Sequence, residues 1–419
     1  MPISKTFKNS LYPIIPRVSS HFGTPFHIYD EAGIRQTCQE LNSAFSGIDH
    51  FREYYAVKAL PNPTILKIMQ EEGFGFDCSS VTELILSRKL GARGGDIMFT
   101  SNNTSQREFQ LAKEEGGCIL NLDDITLLNK MTYLPDLICF RYNPGNTRDG
   151  NDIIGSPMES KYGVSRDQII DAYRKAKDMG VKKFGIHTML ASNELNYTYM
   201  VQTSKMLLDL IEELEEALDI RFEFINIGGG LGIPYRPEEE PFNLSSMARE
   251  ISDQFIDYKK RRGYMPSLYM ESGRFITGPH GVLVVKAINR KSIYRTYIGV
   301  DGCMTALMRP AMYGAYHHID VLGKNGKNGV ETVDVVGSLC ENNDKFAIQR
   351  ELPKIEDGDL LIIHDTGAHG HAMGFNYNGK LRPQELLLQK DGSVVLIRRA
   401  ETEDDYFRTL DFVEKKLAL

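Results

Sequence analysis

Residues 54–90 read YYAVKALPNPTILKIMQEEGFGFDCSSVTELILSRKL, and they contain a pattern that recurs through the first two thirds of the chain. Two short runs rich in β-branched and aromatic residues, 54–58 and 75–78, each precede a longer amphipathic stretch, 62–72 and 81–90. Ser80 and Glu83 have the spacing of a helix capping box. Alternation of this kind predicts strands that are each followed by a helix, and therefore a parallel sheet.

The same alternation continues outward and gives eight predicted strands before about residue 275. Besides 54–58 and 75–78, the predicted strands are 97–100, 118–122, 137–142, 183–187, 222–227 and 268–271. Eight such units predict an α/β domain over residues 26–277, a (β/α)₈ TIM-like barrel. An open doubly wound sheet competes with this interpretation, because periodicity alone does not distinguish the two.

Beyond about residue 278 the pattern changes to short strands separated by turns, with few helical stretches. The predicted strands there are 281–285, 296–300, 332–336, 360–364 and 393–398. This part predicts an all-β domain, a C-terminal β-sandwich made of residues 278–419 together with residues 1–25.

Composition limits the class of protein. The net charge of the 419-residue chain is −7 and no basic tract stands out, which argues against a nucleic acid or an anionic membrane as partner. Six cysteines are scattered without a Cys-x-x-Cys pair, a pattern typical of reduced intracellular thiols. No signal-like segment and no apolar span of membrane length is found, so we expect a cytoplasmic protein.

Several residues at predicted strand ends suit a cofactor pocket, since active sites of this barrel lie at the carboxyl ends of the strands. Lys58 either forms an imine with a carbonyl group or extends its amine into solvent. Gly228-Gly229-Gly230 either brings N–H groups to a phosphate or forms a tight turn. Glu271 either holds a protonated ring nitrogen or forms a salt bridge with Arg274. Asp77 and His187 also end strands, and His187 is either structural or stacked on an aromatic cofactor.

The second domain carries its own candidates. Arg309 and Tyr313 suit the binding of a carboxylate, because a guanidinium can donate two parallel hydrogen bonds to the two carboxylate oxygens. Cys340 has polar neighbours and is a candidate proton donor, whereas Tyr377 can reach a phosphate. His369 and His371 lack the carboxylates that would complete a metal site, so we expect no metal.

The chain resembles the fold-type III pyridoxal-phosphate decarboxylases, and within them the diaminopimelate decarboxylases, in the order and spacing of these motifs. The resemblance is carried by Val57-Lys58-Ala59, Glu271-Ser272-Gly273-Arg274, Arg309–Tyr313, Cys340-Glu341 and Asn376-Tyr377-Asn378. It implies an alanine racemase-like fold, pyridoxal 5′-phosphate as cofactor, and a homodimer whose active sites are shared between subunits. It also implies conversion of meso-2,6-diaminopimelate to L-lysine and CO₂.

The resemblance further implies residue roles. Lys58 would bind the cofactor covalently, and Lys58 or Cys340 would return the proton. The residues expected around the cofactor are Asp77, His187, Gly228, Gly229, Gly230, Glu271 and Tyr377. Those expected around the substrate are Arg274, Arg309, Tyr313, Glu341 and Tyr377, with Cys340 and Glu341 coming from the partner subunit.

Three segments depart from the family pattern. Residues 188–193 follow His187 where the family often has His-Ile-Gly-Ser, which leaves the phosphate role of Ser192 open. Ser272 replaces the usual proline, and Asn342-Asn343 replaces a common Ser-Gly pair beside the distal end of the substrate.

Alternatives therefore remain open. An alanine racemase is disfavoured by Glu271, because racemases of this fold face the ring nitrogen with an arginine. Ornithine and arginine decarboxylases act on substrates without a distal carboxylate, which Arg309 and Tyr313 disfavour. A decarboxylase of D-lysine or D-ornithine fits most of the pocket, and a non-catalytic homologue has no chemical need for Lys58 or Cys340.

Overall fold

The structure, a computed structural model, describes residues 3–150, 155–327 and 329–413. It divides into two compact units. Of the described residues, the barrel unit contains those from Glu31 to Pro279, and the sheet unit contains those from Ile3 to Asp30 and from His280 onward.

The strands of both units are numbered in chain order. They are β1 Phe26–Asp30, β2 Arg52–Ala56, β3 Gly75–Cys78, β4 Gly94–Phe99, β5 Cys118–Leu122, β6 Leu137–Asn143, β7 Val164–Ser165, β8 Lys183–His187, β9 Phe222–Asn226, β10 Ser267–Met270, β11 Gly281–Ser292, β12 Thr296–Val300, β13 Ile319–Val321, β14 Val330–Val336, β15 Lys345–Pro353, β16 Leu360–Ile363, β17 Gln384–Leu388 and β18 Val394–Arg398.

The α-helices are numbered in the same way. They are α1 Lys5–Leu11, α2 Ile15–Phe22, α3 Glu31–Ala44, α4 Pro63–Glu71, α5 Val81–Lys89, α6 Gln106–Lys113, α7 Arg166–Asp178, α8 Tyr197–Leu218, α9 Leu244–Arg262, α10 Gly273–Thr277, α11 Arg309–Tyr313 and α12 Glu403–Phe407.

The barrel unit is a closed parallel barrel. Its strands neighbour one another in the order β2, β3, β4, β5, β6, β8, β9, β10, and β10 pairs with β2 to close the ring. Each of the eight strands corresponds to one predicted from the sequence, so the TIM-like barrel is confirmed and the open sheet is wrong. β7 has two residues and pairs with the carboxyl end of β6.

The barrel is filled with aromatic and sulfur-containing side chains beneath the strand ends. Tyr54, Met98, Cys139 and Phe224 form a buried cluster, and the ring of Tyr269 stacks on Phe224 at a centroid distance of 4.3 Å. Large interlocking side chains of this kind make the barrel interior a packed core. The strand ends above it are therefore set on a rigid base.

The helix that follows β3 begins where the sequence predicts. The Ser80 hydroxyl oxygen accepts the N–H of Glu83 at 3.3 Å, and the Glu83 carboxylate accepts the N–H of Ser79 at 2.7 Å. Two backbone donors at the start of α5 are thereby satisfied. This fixes the loop that leaves the barrel directly after Asp77.

The sheet unit is dominated by one nine-stranded sheet, and the predicted β-rich second domain is confirmed. Its main path runs β15, β14, β12, β11, β1, β17, β18, while β16 pairs with β11 and β13. Apolar side chains of α1 and α2 cover this sheet, with Phe7, Leu11 and Ile15 packed among residues of β1 and β11. These two helices were not predicted from the sequence.

The predicted domain boundary at residue 26 is wrong by one strand. Phe26–Asp30 belongs to the sheet unit, because β1 pairs antiparallel with β11 and parallel with β17. The barrel unit therefore begins at Glu31, and at its other end it extends to Pro279 instead of residue 277. Residues 1–2 and 414–419 of the predicted second domain lie outside the described residues.

Among the described residues, no helix combines the length and the apolar character that crossing a lipid bilayer requires.

Candidate active site

The carboxyl ends of the barrel strands bring Lys58, Asp77, His187 and Glu271 to one face. The electrostatic influence of Lys58 reaches both Asp77 and Glu271, and that of His187 reaches Glu271. Parallel strands end at a common rim, which explains how residues so distant in the chain converge. The predicted strand-end residues of this unit therefore form one cluster.

Lys58 lies just beyond the strand that was predicted to contain it. β2 ends at Ala56, and Val57–Ala59 forms one turn of 3₁₀ helix with Val57 and Ala59 buried. The Lys58 side chain points away from this packing and is exposed. The exposed side chain matches the second alternative for Lys58 in this structure, and the imine with a carbonyl group stays a prediction.

Glu271 is held by hydrogen bonds to two side chains. Its Oε2 atom lies 3.2 Å from Nε2 of His187, and its Oε1 atom accepts Nδ2–H of Asn226 at 2.7 Å. Burial opposes ionisation of Glu271, but His187 and the Asn226 hydrogen bond hold its pKa below the ordinary value. The predicted salt bridge between Glu271 and Arg274 does not form, and Glu271 is a buried, oriented carboxylate.

Asp77 has the opposite electrostatic character. Burial and the neighbouring charge of Glu271 raise the pKa of Asp77 well above its ordinary value, although Lys58 acts against this. Oδ1 of Asp77 and Nδ1 of His187 are both buried and have no hydrogen-bond partner among the described residues. Buried polar atoms are nearly always paired, so two such atoms at one barrel mouth indicate a bound molecule that supplies the partners.

The glycine run forms a close backbone contact. A Cβ atom at Gly228 or Gly230 would overlap a carbonyl oxygen of the loop after β8, and one at Gly229 would overlap the carbonyl oxygen of Glu271. Gly228 and Gly230 also have positive φ values of 72° and 100°. Only glycine fits here, and the run lies directly beside Glu271, as expected for a backbone cradle at the strand end.

The loop of residues 188–193, which departs from the family pattern, packs against this cradle. Glu194 N–H donates to Gly230 O at 2.8 Å, and Asn193 Oδ1 accepts the N–H of Ile233 at 2.9 Å. The Ser192 hydroxyl lies 3.3 Å from Nη2 of Arg274. Ser192 is thus brought to the same face as Arg274.

Arg274 is a buried cation supported by hydroxyl groups. Its Nη1 donates to the hydroxyl oxygen of Tyr235 at 2.6 Å, and it is only 8% exposed. No carboxylate of the described residues forms an ion pair with Arg274. A buried guanidinium without a carboxylate is costly unless an anion completes its surroundings.

The sheet unit places Arg309 against His317. Nδ1 of His317 lies 2.7 Å from the carbonyl oxygen of His364, which can only accept, so Nδ1 carries the proton. Nε2 of His317 then accepts from Nη1 of Arg309 at 2.8 Å. Arg309 is buried and fixed by this pair, whereas Tyr313 at the other end of α11 is 44% exposed.

Cys340, Glu341 and Tyr377 lie on two segments of the sheet unit that hydrogen bond to each other. The N–H of Cys340 donates to Oδ1 of Asn378 at 2.8 Å. Glu341 accepts the N–H of Asn343 at 3.0 Å, and Cys340 and Tyr377 are both exposed. The structure therefore joins these three residues within one unit.

Sequence reasoning missed Asn226, Ser272 as a hydrogen-bond donor, and Glu53. Asn226 lies two residues before the glycine run, and a polar residue at the end of a buried strand is a signal that could have identified it. Glu53 is fully buried on β2 and its carboxylate accepts the N–H of Ser272. The bond between Glu53 and Ser272 spans 219 positions in the sequence and left no local signal.

A cluster of His318, Asp320 and His364 in the sheet unit was also not predicted. Its candidate ligand atoms lie within 4.8 Å of one another. However, Asp320 already accepts from Nζ of Lys8 at 2.6 Å and from the Tyr12 hydroxyl at 2.5 Å. Because an ammonium group within this cluster opposes a second cation, we interpret it as a structural hydrogen-bond network.

Comparisons with known proteins agree with this architecture. A family profile described as "Pyridoxal-dependent decarboxylase, pyridoxal binding domain" matches residues 31–278. Protein TabA of Pseudomonas amygdali pv. tabaci is 47% identical over 407 residues, 97% of this chain and 96% of that protein. The diaminopimelate decarboxylase of Methanothermobacter thermautotrophicus is 37% identical over 398 residues, 93% of this chain and 92% of that protein. The crystal structure of diaminopimelate decarboxylase from M. jannaschii in co-complex with L-lysine has a TM-score of 0.86 at 30% identity, and covers 95% of this chain and 94% of that chain.

The residues at the barrel mouth fit pyridoxal 5′-phosphate. The glycine run keeps side chains away from the strand end, as close approach of a phosphate requires. The N–H of Gly228 donates to Oδ1 of Asn226 at 2.8 Å, and that of Gly229 contacts Sδ of Met189 at 3.3 Å. Glu271 is an ionised carboxylate suited to a protonated ring nitrogen, and Lys58 offers a primary amine to an aldehyde. The unpaired Nδ1 of His187 and Oδ1 of Asp77 lie at the same mouth.

Proposed function

The chain belongs to the pyridoxal-dependent amino-acid decarboxylases, and we propose that within this family it converts meso-2,6-diaminopimelate to L-lysine and CO₂. The proposal is supported by relatives named diaminopimelate decarboxylase that align over nine tenths of the chain. The observation that carries the choice of a substrate with a second carboxylate is Arg274, a buried cation with no carboxylate partner among the described residues.

The carboxy-lyase chemistry depends on the charge of Glu271. Pyridoxal 5′-phosphate, when bound, supplies the electron-accepting ring that loss of CO₂ requires. Glu271 stays ionised because His187 and Asn226 hold its two oxygens, and an ionised partner keeps the ring nitrogen protonated. The glycine run is assigned to the phosphate.

Proton transfer is assigned to Lys58 and Cys340. Lys58 is the amine that holds the cofactor, and its exposed position at the barrel mouth leaves it accessible to substrate. A thiol is a suitable proton donor near neutral pH, and Cys340 is exposed. Its backbone is fixed through Asn378, which supports a defined position for the thiol.

Substrate recognition is assigned residue by residue from the family resemblance. Arg274 and Arg309 are each oriented by a neighbouring side chain, Tyr235 and His317, which favours directional binding of a carboxylate. Tyr313 is assigned to the same carboxylate, Glu341 to the distal amino group and Tyr377 to the cofactor and substrate. These roles rest on the family resemblance and on the contacts within each unit.

A decarboxylase of D-lysine or D-ornithine is the second candidate. Glu341 accepts the N–H of Asn343, so the departure at Asn342-Asn343 alters the loop that holds the residue assigned to the distal amino group. The 47% identical relative is named without a substrate. A change at the distal end of the substrate would leave Lys58 and Glu271 unaffected.

We also propose a homodimer in the cytoplasm, with Cys340 and Glu341 donated to the site of the partner. The sheet unit has a groove of about 600 Å³ beside Glu341, lined in part by Ile288, Ile293 and Tyr297. Ile288 and Ile293 are more than half exposed. Apolar side chains exposed beside a functional loop favour a protein partner, and the six free cysteines agree with a reducing compartment.

The decisive experiment combines an absorbance spectrum with product analysis. Purified protein is supplied with pyridoxal 5′-phosphate, and a band near roughly 420 nm is expected from the lysine-bound cofactor. The protein is then incubated separately with meso-diaminopimelate, D-lysine, D-ornithine, L-ornithine and L-arginine, and the amine products and CO₂ are quantified. Release of L-lysine from meso-diaminopimelate, well above turnover of the others, is the expected result.

Matched variants separate the possible outcomes. Lys58→Ala should lose the band, whereas Lys67→Ala, at an exposed lysine on α4, should keep it. A band with turnover only of D-lysine or D-ornithine would replace the proposed substrate by the second candidate. A band without turnover of any substrate would indicate a non-catalytic homologue.

A further inference from the structure

Glu53 is a buried acid for which the assigned chemistry has no role. It lies on β2, five residues before Lys58, and it is completely buried. None of the described cations forms an ion pair with it, and its Oε2 atom has no hydrogen-bond partner among the described residues. An acid in such a place is costly, so its retention needs a reason.

Among the described residues, the side chain of Glu53 forms one hydrogen bond, and it leads to the turn that carries Glu271. Its Oε1 atom accepts the backbone N–H of Ser272. The last paired residues of β10 and β2 are Met270 and Glu53. Beyond this pair, β2 offers no backbone carbonyl to the N–H groups of the turn that follows β10. The N–H of Glu271 is satisfied by Gly228 O at 3.0 Å, but the buried N–H of Ser272 depends on the Glu53 side chain.

The same turn packs tightly against the segment that carries Lys58. A Cβ atom at Gly273 would lie 2.6 Å from Cβ of Ala59 and 3.1 Å from Cβ of Ala56. Ala56 and Ala59 flank Lys58 on either side. The segment around Lys58 and the turn after Glu271 are therefore joined at two points, by the Glu53–Ser272 hydrogen bond and by the close packing of Gly273. Together these contacts set the spacing between Lys58 and Glu271.

We propose that Glu53 is a positioning residue, which accepts the Ser272 N–H and thereby fixes the Glu271 carboxylate relative to Lys58. The inference depends on the family cofactor and not on the choice of substrate. Burial raises the pKa of Glu53 to about 8, with the Ser272 N–H acting against this and the charges of Glu271 and Asp77 adding to it. Glu53 is thus a neutral acid near pH 7 and adds no charge beside Glu271.

Ser272 gives this role a specific test. The family usually has proline at this position, and proline has no N–H to satisfy. The φ angle of Ser272 is −87°, close enough to the range of proline for the exchange to be tolerated. Removing the donor and the acceptor together should therefore repair what either change alone disturbs.

The experiment is a double-mutant cycle on the full chain loaded with pyridoxal 5′-phosphate. The variants are Glu53→Leu, Ser272→Pro, the combination of both, and the isosteric Glu53→Gln, whose amide oxygen can still accept the N–H. For each, the dissociation constant of the cofactor, the pH titration of its absorbance band, and kcat and KM are measured well below the unfolding temperature. Glu215→Gln, at a buried carboxylate on α8, controls for a general loss of stability.

Glu53→Leu is expected to lower kcat at least about tenfold with KM nearly unchanged, because a displaced catalytic group costs rate more than binding. The midpoint of the pH titration of the cofactor absorbance band should also shift in Glu53→Leu. Glu53→Gln should retain at least about a third of the activity, because it keeps the acceptor. The double variant should recover most of what Glu53→Leu loses, and Glu215→Gln should leave the titration midpoint unchanged.

Two results would overturn the proposal. One is a Glu53→Leu protein that is less stable but keeps the titration midpoint and kcat of the unaltered chain. The other is a double variant whose losses in kcat are the product of the two single losses, since independent sites behave in that way. Both results are independent of which amino acid proves to be the substrate.

Discussion

Nε2 of His187 and Oε2 of Glu271 lie 3.2 Å apart at the mouth of the barrel, and both side chains are almost fully buried. The second carboxylate oxygen of Glu271 is taken by Asn226 at 2.7 Å. Buried acids ordinarily resist ionisation, but these partners favour the charged form of Glu271. The barrel thus maintains a negative charge where a protonated ring nitrogen needs a partner.

Glu271→Gln should therefore abolish most of the activity while leaving the fold intact. The amide preserves the shape and can still accept from Asn226, but it cannot stabilise a positive charge on the ring. We expect kcat to fall at least about 100-fold, in line with the loss of a preorganised electrostatic partner. Steady-state kinetics with saturating cofactor measure this. Glu223→Gln, at an exposed glutamate on β9, is the control, and equal activity of both variants would contradict the assigned role of Glu271.

Gly229→Ala should impair both the fold and the binding of the cofactor. The added Cβ would overlap the carbonyl oxygen of Glu271, which is backbone and has little freedom to move. Overpacking of this kind costs about 1–3 kcal/mol of stability. Cofactor titration followed by absorbance and urea unfolding followed by fluorescence give the two readouts.

The matched control for this change is Gly47→Ala. Gly47 is exposed, and nothing lies within 4 Å of the position of an added Cβ. Its effect on stability should stay within about 0.5 kcal/mol. If Gly229→Ala binds pyridoxal 5′-phosphate as tightly as Gly47→Ala does, the glycine run is a turn and not a phosphate cradle.

Arg274→Lys should separate substrates with a second carboxylate from those without one. The guanidinium of Arg274 contacts Tyr235 and Ser192 and has further N–H groups for an anion. The single ammonium group of a lysine cannot make all of these contacts at once. We expect KM for meso-diaminopimelate to rise at least about tenfold, because one charge-assisted bidentate contact is lost. KM for D-lysine, where turnover of it is measurable, should change much less.

Arg249→Lys, at an exposed arginine on α9, is the control for this exchange. A parallel rise in KM for both substrates would assign Arg274 to a group that they share. A loss of cofactor affinity in Arg274→Lys would instead assign the guanidinium to the phosphate.

Local pattern was sufficient to predict the barrel. Each predicted strand has a counterpart in β2–β6 and β8–β10, because a buried parallel strand is a short apolar run that must be followed by a helix. The failures occurred where tertiary pairing decides. β1 has the same local character as a barrel strand, yet it pairs with β11 and β17, more than 250 positions away.

The site was predictable where residues lie at strand ends and unpredictable where side chains bridge distant segments. Asp77, His187 and Glu271 follow from the rule that chemistry lies at the carboxyl ends of barrel strands. The end of the strand before Lys58 did not follow, because the apolar run continues through Val57 and Ala59 while the backbone turns there. The bond from Glu53 to Ser272 joins two motifs that look independent in the sequence.

The buried acid Glu53 also predicts how stability depends on pH. Its pKa is raised by burial to about 8 in the folded chain, whereas an unfolded glutamate has a pKa of about 4.3. Between these values the folded chain keeps a proton that the unfolded chain has lost, so stability falls as pH rises. The contribution is fully present below the unfolded pKa and is lost as pH approaches 8.

Glu53→Gln removes this dependence, because the amide does not titrate. Between pH 5.5 and 7.5, the ionisation of Glu53 should lower the free energy of unfolding of the unaltered chain by about 2–3 kcal/mol, at roughly 1.4 kcal/mol for each pH unit. The variant should not show this loss. The melting temperature of the variant, relative to the unaltered chain, should therefore rise by about 5 °C or more across that interval. Thermal unfolding of both full-length proteins, followed by circular dichroism at several pH values, measures the difference. The contributions of Asp77 and Glu271 largely cancel in this difference, because both proteins contain these residues. Parallel curves for the two proteins would mean that Glu53 ionises normally despite its burial, and that its carboxylate is already charged when it accepts the Ser272 N–H.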